Sequence, residues 1–536
     1  MSSACSAIKM GVELKLRSFR LRLDELVAEG RAEEAAMMAY GALFETLVSQ
    51  SKAAYGKRSE QVDPEQIALL LEHKHEEDED EQDEAVSAEE SDGSDAPAEE
   101  PEAKPKPRRH RHGRGKLPEG LPHETVVHVV PEAERQCPTC NAERLVVGHE
   151  TSEVLEFVPA HFKVIVHDRE KRACPDCRET GMVVADAADK PFDRCMAGPG
   201  LLAQVVVSKF SDFQPLTRIS RGFSRLGVDI SVSTLSGWLT RLAPVLQPIA
   251  DLMWEQVLAS FVIQNDASGL RVLDRTHEDN VVLGTMWCYV GDYTDVVFRY
   301  APDGTGAKGP WTALAGRTGY FQSDGANVFM RLHNGKAASV QPLGCWFHAR
   351  RPFFSKLGEE PDAAVAVDFI QQLYRIEAKA ETLGLDADGI RDLRQAEALP
   401  ILSRFRRWID KRRSKHSPRS ALGAGLSYCV KHWAALIRYT EDGRLRPDNN
   451  ICEGQIRDLA LGRKNFLFAG SHAGAHNVAL YYSLMRTCAR NGVNPYAWLT
   501  DVITKLAAGW PNSRLAELLP ARWAEQSRQQ PESNPV

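Results

Sequence analysis

The sequence predicts a multidomain α+β protein, and three observations support that prediction. The chain has 536 residues, more than the ~100–200 of a typical domain. Apolar residues recur at helical spacing over 12–50 and most of 361–446, whereas runs typical of strands occupy 257–354. Two Cys-x-x-Cys pairs, at 137–140 and 174–177, stand between these parts. Because 43% of the residues are hydrophobic, the chain can form sizeable cores.

Residues 1–71 are expected to form a helical segment. Leu14, Leu21 and Leu26 lie among charged residues and good helix formers. Such a segment either pairs two copies of the chain as a coiled-coil oligomerisation element or packs against its own chain. The N-terminal residues lack the apolar stretch of a signal peptide, and no apolar run reaches the ~18 residues that span a bilayer. We therefore expect a cytoplasmic protein without membrane contact.

Residues 72–103 are the most acidic part of the sequence. Positions 76–103 carry 15 acidic residues and no lysine or arginine, so the rest of the chain is net basic although the whole has a net charge of −7. Such a composition predicts a disordered linker. The next segment, 104–136, is a basic arm that opens with seven Lys/Arg in the thirteen residues 104–116. It is either a solvated linker or an arm on the backbone of a nucleic acid.

Four cysteines predict a structural zinc site within residues 137–190. Cys137 and Cys140 are separated from Cys174 and Cys177 by 33 residues that alternate in the manner of strands. Four thiolates brought together by β-structure make a closed tetrahedral site, which suits Zn²⁺ and leaves no position for a reacting water. The alternative is a redox-active Cys-x-x-Cys, which usually occurs singly beside a strand–helix unit.

A helix-turn-helix is predicted within residues 198–250. Two helical stretches are joined by a short turn that contains a glycine, and a serine can cap the second helix. The second helix carries Thr234, Ser236 and Arg241, side chains that can reach DNA. The alternative is two helices of an ordinary helical domain.

Residues 256–500 carry acidic residues at the predicted ends of strands and at the start of a helix, which indicates a candidate catalytic domain. One buried strand is expected to end at Asp266 and a later strand at Asp324, while Glu453 opens a helix after a Pro-Asp turn. The element order places the two aspartates at the ends of adjacent central strands, and the helix can bring Glu453 beside them. Three such carboxylates predict a site for two divalent cations, Mg²⁺ or Mn²⁺, that act in phosphoryl displacement. Among 73 acidic residues some such spacing also arises by chance.

Three stretches of the sequence resemble the transposases of the insertion sequence 66 family. They are "DNNICEGQIRDLALGRKNFLFAGSHAGA", "GCWFHARRPFF" and "QPLTRISRGFSRLGVDISVSTLSGWL". The two Cys-x-x-Cys pairs and "YGKRSEQVDPEQIALLLE" also stand in family order, and the resemblance covers most of residues 55–510. It implies a DDE transposase with an RNase H-like catalytic core in 256–500. A helical insertion, 361–446, interrupts that core, and a C-terminal helix and tail, 501–536, follow it.

Carried over residue by residue, the resemblance implies that Asp266, Asp324 and Glu453 form the catalytic triad and hold the catalytic Mg²⁺ or Mn²⁺. The sequence departs from the family at two places. Ala-Ser follows the first aspartate where the family has Glu-Thr, and Gly454 follows the glutamate where the family has arginine. Neither departure removes a proposed metal ligand.

Basic residues near these acids are candidates for contacts with the DNA backbone, or else ordinary surface charges. They follow the glutamate and the second aspartate in sequence, and are Arg457, Arg463, Lys464, His348, Arg350 and Arg351. For His348 the alternative is a structural histidine. The expected partners are double-stranded DNA at the element ends and at the target, a second copy of the chain, and companion proteins of the same element.

The predicted reaction begins with attack of water on a phosphodiester at the element end, which frees a 3′-hydroxyl. That hydroxyl then attacks target DNA in line. The zinc finger and the helix-turn-helix would recognise the terminal inverted repeats. Two alternatives are a stand-alone nuclease or resolvase with the same fold, and a catalytically inactive zinc-finger and helix-turn-helix regulator.

Overall fold

A computed structural model describes residues 161–173, 182–329, 332 and 339–529. The predictions for the N-terminal helices, the acidic linker, the basic arm and the four zinc-site cysteines fall outside these residues. Within the described ranges, no helix is long and apolar enough to cross a membrane.

Seven strands are described, and they belong to two sheets. In chain order they are β1 (Lys171–Ala173), β2 (Met182–Val184), β3 (Val262–Leu273), β4 (Val281–Gly291), β5 (Asp295–Ala301), β6 (Thr318–Gln322) and β7 (Ser339–Leu343). Strands β1 and β2 form an antiparallel ribbon. The segment that connects them, 174–181, carries the second Cys-x-x-Cys pair of the sequence.

Helices make up most of the remaining described chain. They are α1 (Pro199–Phe210), α2 (Leu216–Arg225), α3 (Val232–Ala259), α4 (Pro310–Ala313), α5 (Trp346–Phe354), α6 (Pro361–Thr382), α7 (Ala387–Leu393), α8 (Leu399–Arg413), α9 (Ala421–Ile437), α10 (Asn450–Phe466), α11 (His472–Arg490), α12 (Pro495–Ala507) and α13 (Pro520–Gln529). The protein is thus a mixed α and β structure. The domain boundary predicted at residue 501 falls inside α12.

The larger sheet has five strands in the order β5-β4-β3-β6-β7. Strand β4 is the antiparallel neighbour of both β3 and β5. Strands β6 and β7 continue the sheet on the other side of β3, and both run parallel to it. Strand β3 is therefore central, with an antiparallel neighbour on one side and a parallel one on the other.

Both faces of the sheet are covered, which explains why β4 is apolar along most of its length. In β4, Cys288 and Tyr289 are both fully buried, although successive side chains of a strand point to opposite faces. The ring of Tyr289 meets Trp254 of α3 edge-on at 5.0 Å. On the opposite face, the Cys452 thiol of α10 donates to the carbonyl of Cys288.

The outer edge of the sheet at β5 is closed by helix α11. The hydroxyls of Ser483 and Thr487 accept the N–H groups of Phe298 and Val296 at 2.8 and 2.9 Å. The Thr487 hydroxyl also donates to the Val296 carbonyl. These bonds satisfy polar groups that an edge strand otherwise exposes.

Residues 361–446, the predicted helical insertion, contain helices α6 to α9 and short turns between them. Its core is aromatic: the ring of Phe405 in α8 stacks on Phe369 of α6 at 4.8 Å and lies 6.0 Å from Trp346 of α5. The same buried cluster includes Val262 of β3 and Leu343 of β7. The insertion therefore shares one core with the sheet.

Helix α3 is longer than the sequence suggests. The predicted helix-turn-helix region ends at residue 250, but this helix contains Pro244 and Pro248 and continues to Ala259. A proline inside a helix removes one hydrogen bond and costs ~3 kcal/mol or more. The cost is offset by apolar side chains that are buried on both sides of the prolines: Leu242, Leu246, Ile249, Met253 and Val257. One continuous helix therefore joins the predicted helix-turn-helix to the sheet.

Candidate active site

Two aspartates follow the same short pattern, Gln-x-Asp, in neighbouring parallel strands. Gln264 precedes Asp266 in β3, and Gln322 precedes Asp324 at the end of β6. The two glutamines are paired across the strands. Because residues two apart in a strand lie on the same face, Asp266 lies on the same face of β3 as Gln264. Asp324 lies two residues beyond the end of β6.

Asp266 lies inside its strand rather than at the strand's end, which corrects the prediction. Strand β3 continues to Leu273 because β4 pairs with it along that whole length. Its pairing with β6 stops at Gln264. Asp266 is therefore the second residue beyond the last parallel pair, where the sheet leaves room for the segment that carries Asp324.

Glu453 lies in the first turn of α10, and the start of that helix is fastened to the sheet. The side-chain carbonyl of Gln264 accepts the N–H of Cys452 at 3.2 Å. The side-chain amide of Gln264 donates to the Asp448 carbonyl at 2.9 Å. Because Cys452 directly precedes Glu453, these bonds determine where the glutamate carboxylate lies.

A second buried glutamine continues this network. Gln322 accepts a hydrogen bond from the Gln264 amide at 2.8 Å and donates to the carbonyls of Gly344 and Arg446, each at 2.9 Å. Both glutamine side chains are fully buried, and their oxygens and amide hydrogens all have partners. The two residues before the aspartates thus hold the polypeptide that leads to the glutamate.

Asn449 provides a third attachment, immediately before α10. Its side-chain amide donates to the Asn265 carbonyl at 3.0 Å, and its backbone N–H donates to the Cys345 sulfur at 3.3 Å. The neighbouring Asp448 accepts a hydrogen bond from the Tyr374 hydroxyl at 2.8 Å. The start of α10 is therefore bound to β3, to the N-terminal residue of α5 and to α6.

Burial and repulsion raise the pKa of two of the three carboxyls. Desolvation by burial and, to a lesser extent, repulsion from Asp324 raise the pKa of Asp266, the Ala267 N–H and Arg351 oppose the shift, and the net pKa is about 6. Desolvation, followed by repulsion from Asp266, raises the pKa of Glu453 to about 7, and Arg351 again opposes the shift. Each of these two carboxyls is thus destabilised in its charged form by its acidic neighbours, a repulsion that a bound cation would relieve.

Softer ligand atoms lie on the other side of Glu453. His348 Nδ1 is 3.3 Å from Glu453 Oε1, and Cys345 Sγ is 4.0 Å from the same oxygen. Ligand atoms of these three residues all lie within 4.8 Å of one another, a spacing that could hold a metal ion. Cys345 is the N-terminal cap of α5 and His348 is in its first turn. Burial lowers the pKa of His348.

The two arginines of α5 differ in exposure. Arg351 is exposed and lies near the acids, since it acts on the pKa of both Asp266 and Glu453. Arg350 is partly buried, and its guanidinium lies 4.3 Å above the ring of Phe354. Arg351 is therefore the better placed of the two for a substrate contact.

The three predicted basic residues of α10 also differ. Arg457 and Lys464 are exposed, and they follow Glu453 by four and eleven residues on the same face of the helix. Arg463 donates a hydrogen bond to the Gly269 carbonyl of β3. That bond attaches the end of α10 to the sheet, so Arg463 has a structural contact within the chain.

The predicted helix-turn-helix corresponds to α2, a short turn and the start of α3. The turn contains Gly227, whose φ of 83° favours glycine. Ser231 caps α3 by accepting the N–H of Thr234 at 3.1 Å. Thr234 is half-buried, whereas Ser236 is exposed one turn into the helix.

Arg241, the third predicted contact of this helix, is engaged within the chain. Its guanidinium donates to the Asp193 carbonyl and lies 4.7 Å above the ring of Phe192. A contact of Arg241 with DNA would compete with both interactions.

Sequence reasoning missed the residues that position the site. Gln264, Gln322 and Asn449 are fully buried polar residues in apolar surroundings. A signal was present, because each aspartate is preceded two residues earlier by a glutamine that directly follows apolar residues of a strand. A polar residue in a buried strand requires hydrogen-bond partners, so the repeat points to a shared network.

Carboxylates from two neighbouring strands and a helix, gathered over a mixed sheet, are typical of metal-dependent enzymes that act on phosphodiesters. The chain belongs to the Transposase IS66 family, whose family model matches residues 194–477. Further matches are the IS66 C-terminal element over 483–521, the zinc-finger binding domain of transposase IS66 over 134–178, and the Transposase C of IS166 homeodomain over 42–126. The resemblance drawn from the motifs is thereby confirmed.

Three relatives come from Sinorhizobium fredii (strain NBRC 101917 / NGR234) and are described as uncharacterized proteins. The protein y4hP is 32% identical over 76% of this chain and 77% of its own length. The protein y4qI is 33% identical over 73% and 74%, and y4jD is 31% identical over 76% and 82%. The similarity therefore extends over most of each protein.

Proposed function

We propose that the chain is a DNA transposase that binds the terminal inverted repeats of an insertion sequence and catalyses DNA strand cleavage and strand transfer. The observation that carries this proposal is the convergence of Asp266, Asp324 and Glu453 in a chain of a transposase family. The three acids come from separate parts of the sequence, so their meeting depends on the fold.

The sheet supports an RNase H-like assignment of the catalytic core. Three antiparallel strands are followed by two parallel strands on the other side of the first. Asp266 lies on the central strand and Asp324 just beyond its parallel neighbour. The insertion of α6 to α9 then separates both aspartates in sequence from the helix of Glu453.

The acids fit the catalytic Mg²⁺ or Mn²⁺ that the family implies. Carboxylate oxygens are the ligands these ions prefer, and the repulsion that raises the pKa of Asp266 and Glu453 would be relieved by a cation. Bound there, divalent cations would stabilise the charge that develops on the reacting phosphate. Asp266 and Asp324 would hold both ions, and Glu453 would complete the coordination of one.

Other residues of the chain would orient the DNA. Arg351 lies beside the acids and is suited to the phosphate next to the scissile bond. Arg457 and Lys464 extend a basic face from Glu453 along α10. Thr234 and Ser236 would contact the element ends together with the zinc finger, whose proposed ligands are the cysteines of 137–140 and 174–177. Because two ends must be joined, we expect at least two copies of the chain.

The test is to incubate the purified full-length protein with DNA of its own element ends and Mg²⁺ or Mn²⁺, and to map nicks. Nicks at the element ends followed by joining to target DNA support the proposal. Cleavage without joining favours a nuclease or resolvase. The Ala-Ser after Asp266 and the presence of Gly454 depart from the family motif, which favours an inactive regulator as the second candidate. Binding of the repeats without cleavage in Mn²⁺ would support that candidate.

A further inference from the structure

We propose that Cys345, His348 and Glu453 form a second, inhibitory cation site that takes a thiophilic divalent ion such as Zn²⁺. The site rests on the proposed function, because it shares Glu453 with the catalytic acids. A thiolate, an imidazole and a carboxylate make a donor set that favours zinc-like ions over Mg²⁺. An ion held there would withdraw the glutamate from catalysis.

The spacing of the three ligand atoms fits tetrahedral coordination. With ordinary zinc–ligand bond lengths, neighbouring nitrogen and oxygen ligands lie ~3.4 Å apart, and sulfur and oxygen ligands ~3.6 Å apart. The observed separations from Glu453 Oε1 are 3.3 Å to His348 Nδ1 and 4.0 Å to Cys345 Sγ. Both separations from Glu453 are within a few tenths of an ångström of those values, and all three ligand atoms lie within 4.8 Å of one another.

His348 provides an independent observation. Its Nδ1 is buried and has no hydrogen-bond partner among the described residues, although Glu453 Oε1 lies 3.3 Å away. A buried nitrogen without a hydrogen-bond partner destabilises the folded protein. A cation between His348 and Glu453 would accept a lone pair from each and remove that cost.

Burial raises the pKa of the Cys345 thiol, so this sulfur becomes a thiolate only when a bound ion displaces its proton. Its sulfur accepts the N–H of Asn449 at 3.3 Å and lies at the N-terminus of α5, where negative charge is favoured. Binding would release the thiol proton to solvent. The sulfur is fully buried, but the side chains of His348 and Glu453 are 20% and 18% exposed and give an ion access.

The binding test uses the full-length, zinc-loaded protein and Cd²⁺ as the probe, because Cd²⁺–thiolate bonds absorb in the ultraviolet. We expect Cys345→Ala to lose the absorption of one Cd²⁺–thiolate bond relative to wild type. The contribution of the zinc finger should be the same in wild type and variant. Cys488→Ala removes a buried thiol of α11 and is the control that should keep the absorption of that bond. Equal absorption by wild type and Cys345→Ala overturns the proposal, whatever the protein does to DNA.

The activity test measures the rate at which element-end DNA is cleaved in Mn²⁺ as the Zn²⁺ concentration is increased. The rate of each variant is divided by its own rate without added zinc. Loss of a ligand should raise the half-inhibitory Zn²⁺ concentration about tenfold or more. His348→Ala provides a second variant if Cys345→Ala does not fold, as judged by near-ultraviolet circular dichroism. Unchanged zinc sensitivity in both variants would mean that zinc acts elsewhere, and the site is then rejected. If no variant or wild type cleaves, the proposed function fails, and the Cd²⁺ result still decides this site.

Discussion

The proposed catalytic centre and the predicted helix-turn-helix region place their candidate functional side chains in opposite ways. Asp266 and Glu453 lie among fully buried amides, and the segment before Glu453 makes hydrogen bonds to β3, α5 and α6. Ser236 lies on the surface of α3, and Arg241 bonds to its own chain. Buried hydrogen bonds within the chain hold the proposed catalytic centre in place, whereas the helix-turn-helix region exposes its side chains to solvent.

This difference follows from what each region must do. Acids that hold reactive cations have to be fixed before the substrate arrives, since reorganisation during the reaction would raise its barrier. Side chains that read DNA acquire most of their partners from the DNA itself. The arrangement of the proposed catalytic centre is therefore visible in a single chain without DNA, whereas the DNA-binding side chains gain most of their partners only when DNA binds.

Removal of a catalytic charge should have the largest effect of any single change. Asp324→Asn and Glu453→Gln keep the side-chain shape but remove a negative ligand, so we expect cleavage to fall by at least ~100-fold. Zinc content, folding and binding of element-end DNA should stay near wild type. Asp303→Asn, in an exposed turn where Asp303 pairs with Lys308, is the matched control and should retain activity. Robust cleavage by Glu453→Gln would contradict the metal assignment.

Loss of the buried amide network should affect both folding and catalysis. Gln264→Leu leaves the Cys452 N–H and the Asp448 carbonyl without their buried partner, which costs roughly 1–3 kcal/mol for each group. We expect a lower melting temperature and loss of cleavage. Gln247→Leu removes an exposed glutamine of α3 that bonds only to Asp251 among the described residues, and it should change little. If both variants behave alike, the network does not position the glutamate.

Protons should compete with cations in the catalytic centre. Because Glu453 has a pKa of about 7 and Asp266 of about 6, the apparent Mn²⁺ affinity should fall by about tenfold as the pH decreases from about 8 to about 6. The free energy of unfolding of the metal-free protein should have the opposite pH dependence: it should increase as the pH decreases. Both folded pKa values exceed the ordinary ones, so the folded chain binds more protons between pH ~4 and ~7, and stability decreases as pH rises through that range.

Calorimetric Mn²⁺ titrations and metal-free melting curves at several pH values test both trends. Glu453→Gln should flatten the stability trend, because it removes the group with the higher pKa. A metal-free protein whose stability rises with pH in this range would contradict the assignment.

Substitutions on the DNA-binding face of the helix-turn-helix should weaken DNA binding and leave the cleavage rate unchanged. Thr234→Ala and Ser236→Ala together are expected to weaken binding of the terminal repeats by several-fold, as single contacts in a larger interface do. The maximal cleavage rate at saturating protein should stay unchanged. Thr240→Ala, whose hydroxyl bonds to the Ser236 carbonyl within α3, is the control. Gel shifts with element-end and unrelated DNA separate specific from general binding, and equal losses on both DNAs would argue against a reading role.

The sequence predicted the elements of the sheet well but not the connections that organise the site. Runs such as β4 and β5 are apolar enough to be recognised, and Glu453 was expected to open a helix. The prediction that a strand ends at Asp266 was wrong. The end of an apolar run in the sequence does not reveal how far β3 continues to pair with β4. The bonds from Gln264 to Asp448 and Cys452 link residues about 184 and 188 positions apart, and no local pattern encodes such partners.

The smallest expected effect concerns Gly454, where this chain departs from its family. A Cβ built at Gly454 would meet no atom within 4 Å, and the residue lies in the first turn of α10 with helical backbone. Gly454→Ala should therefore stabilise the protein by up to ~1 kcal/mol, through the lower conformational entropy of the unfolded chain. Gly462→Ala is the opposing control, because its Cβ would lie 1.9 Å from the Tyr482 hydroxyl. Gly454→Arg restores the family residue beside Glu453 without a clash of its Cβ. If Gly454→Ala destabilises the protein as much as Gly462→Ala does, the start of α10 requires glycine for its backbone rather than tolerating it.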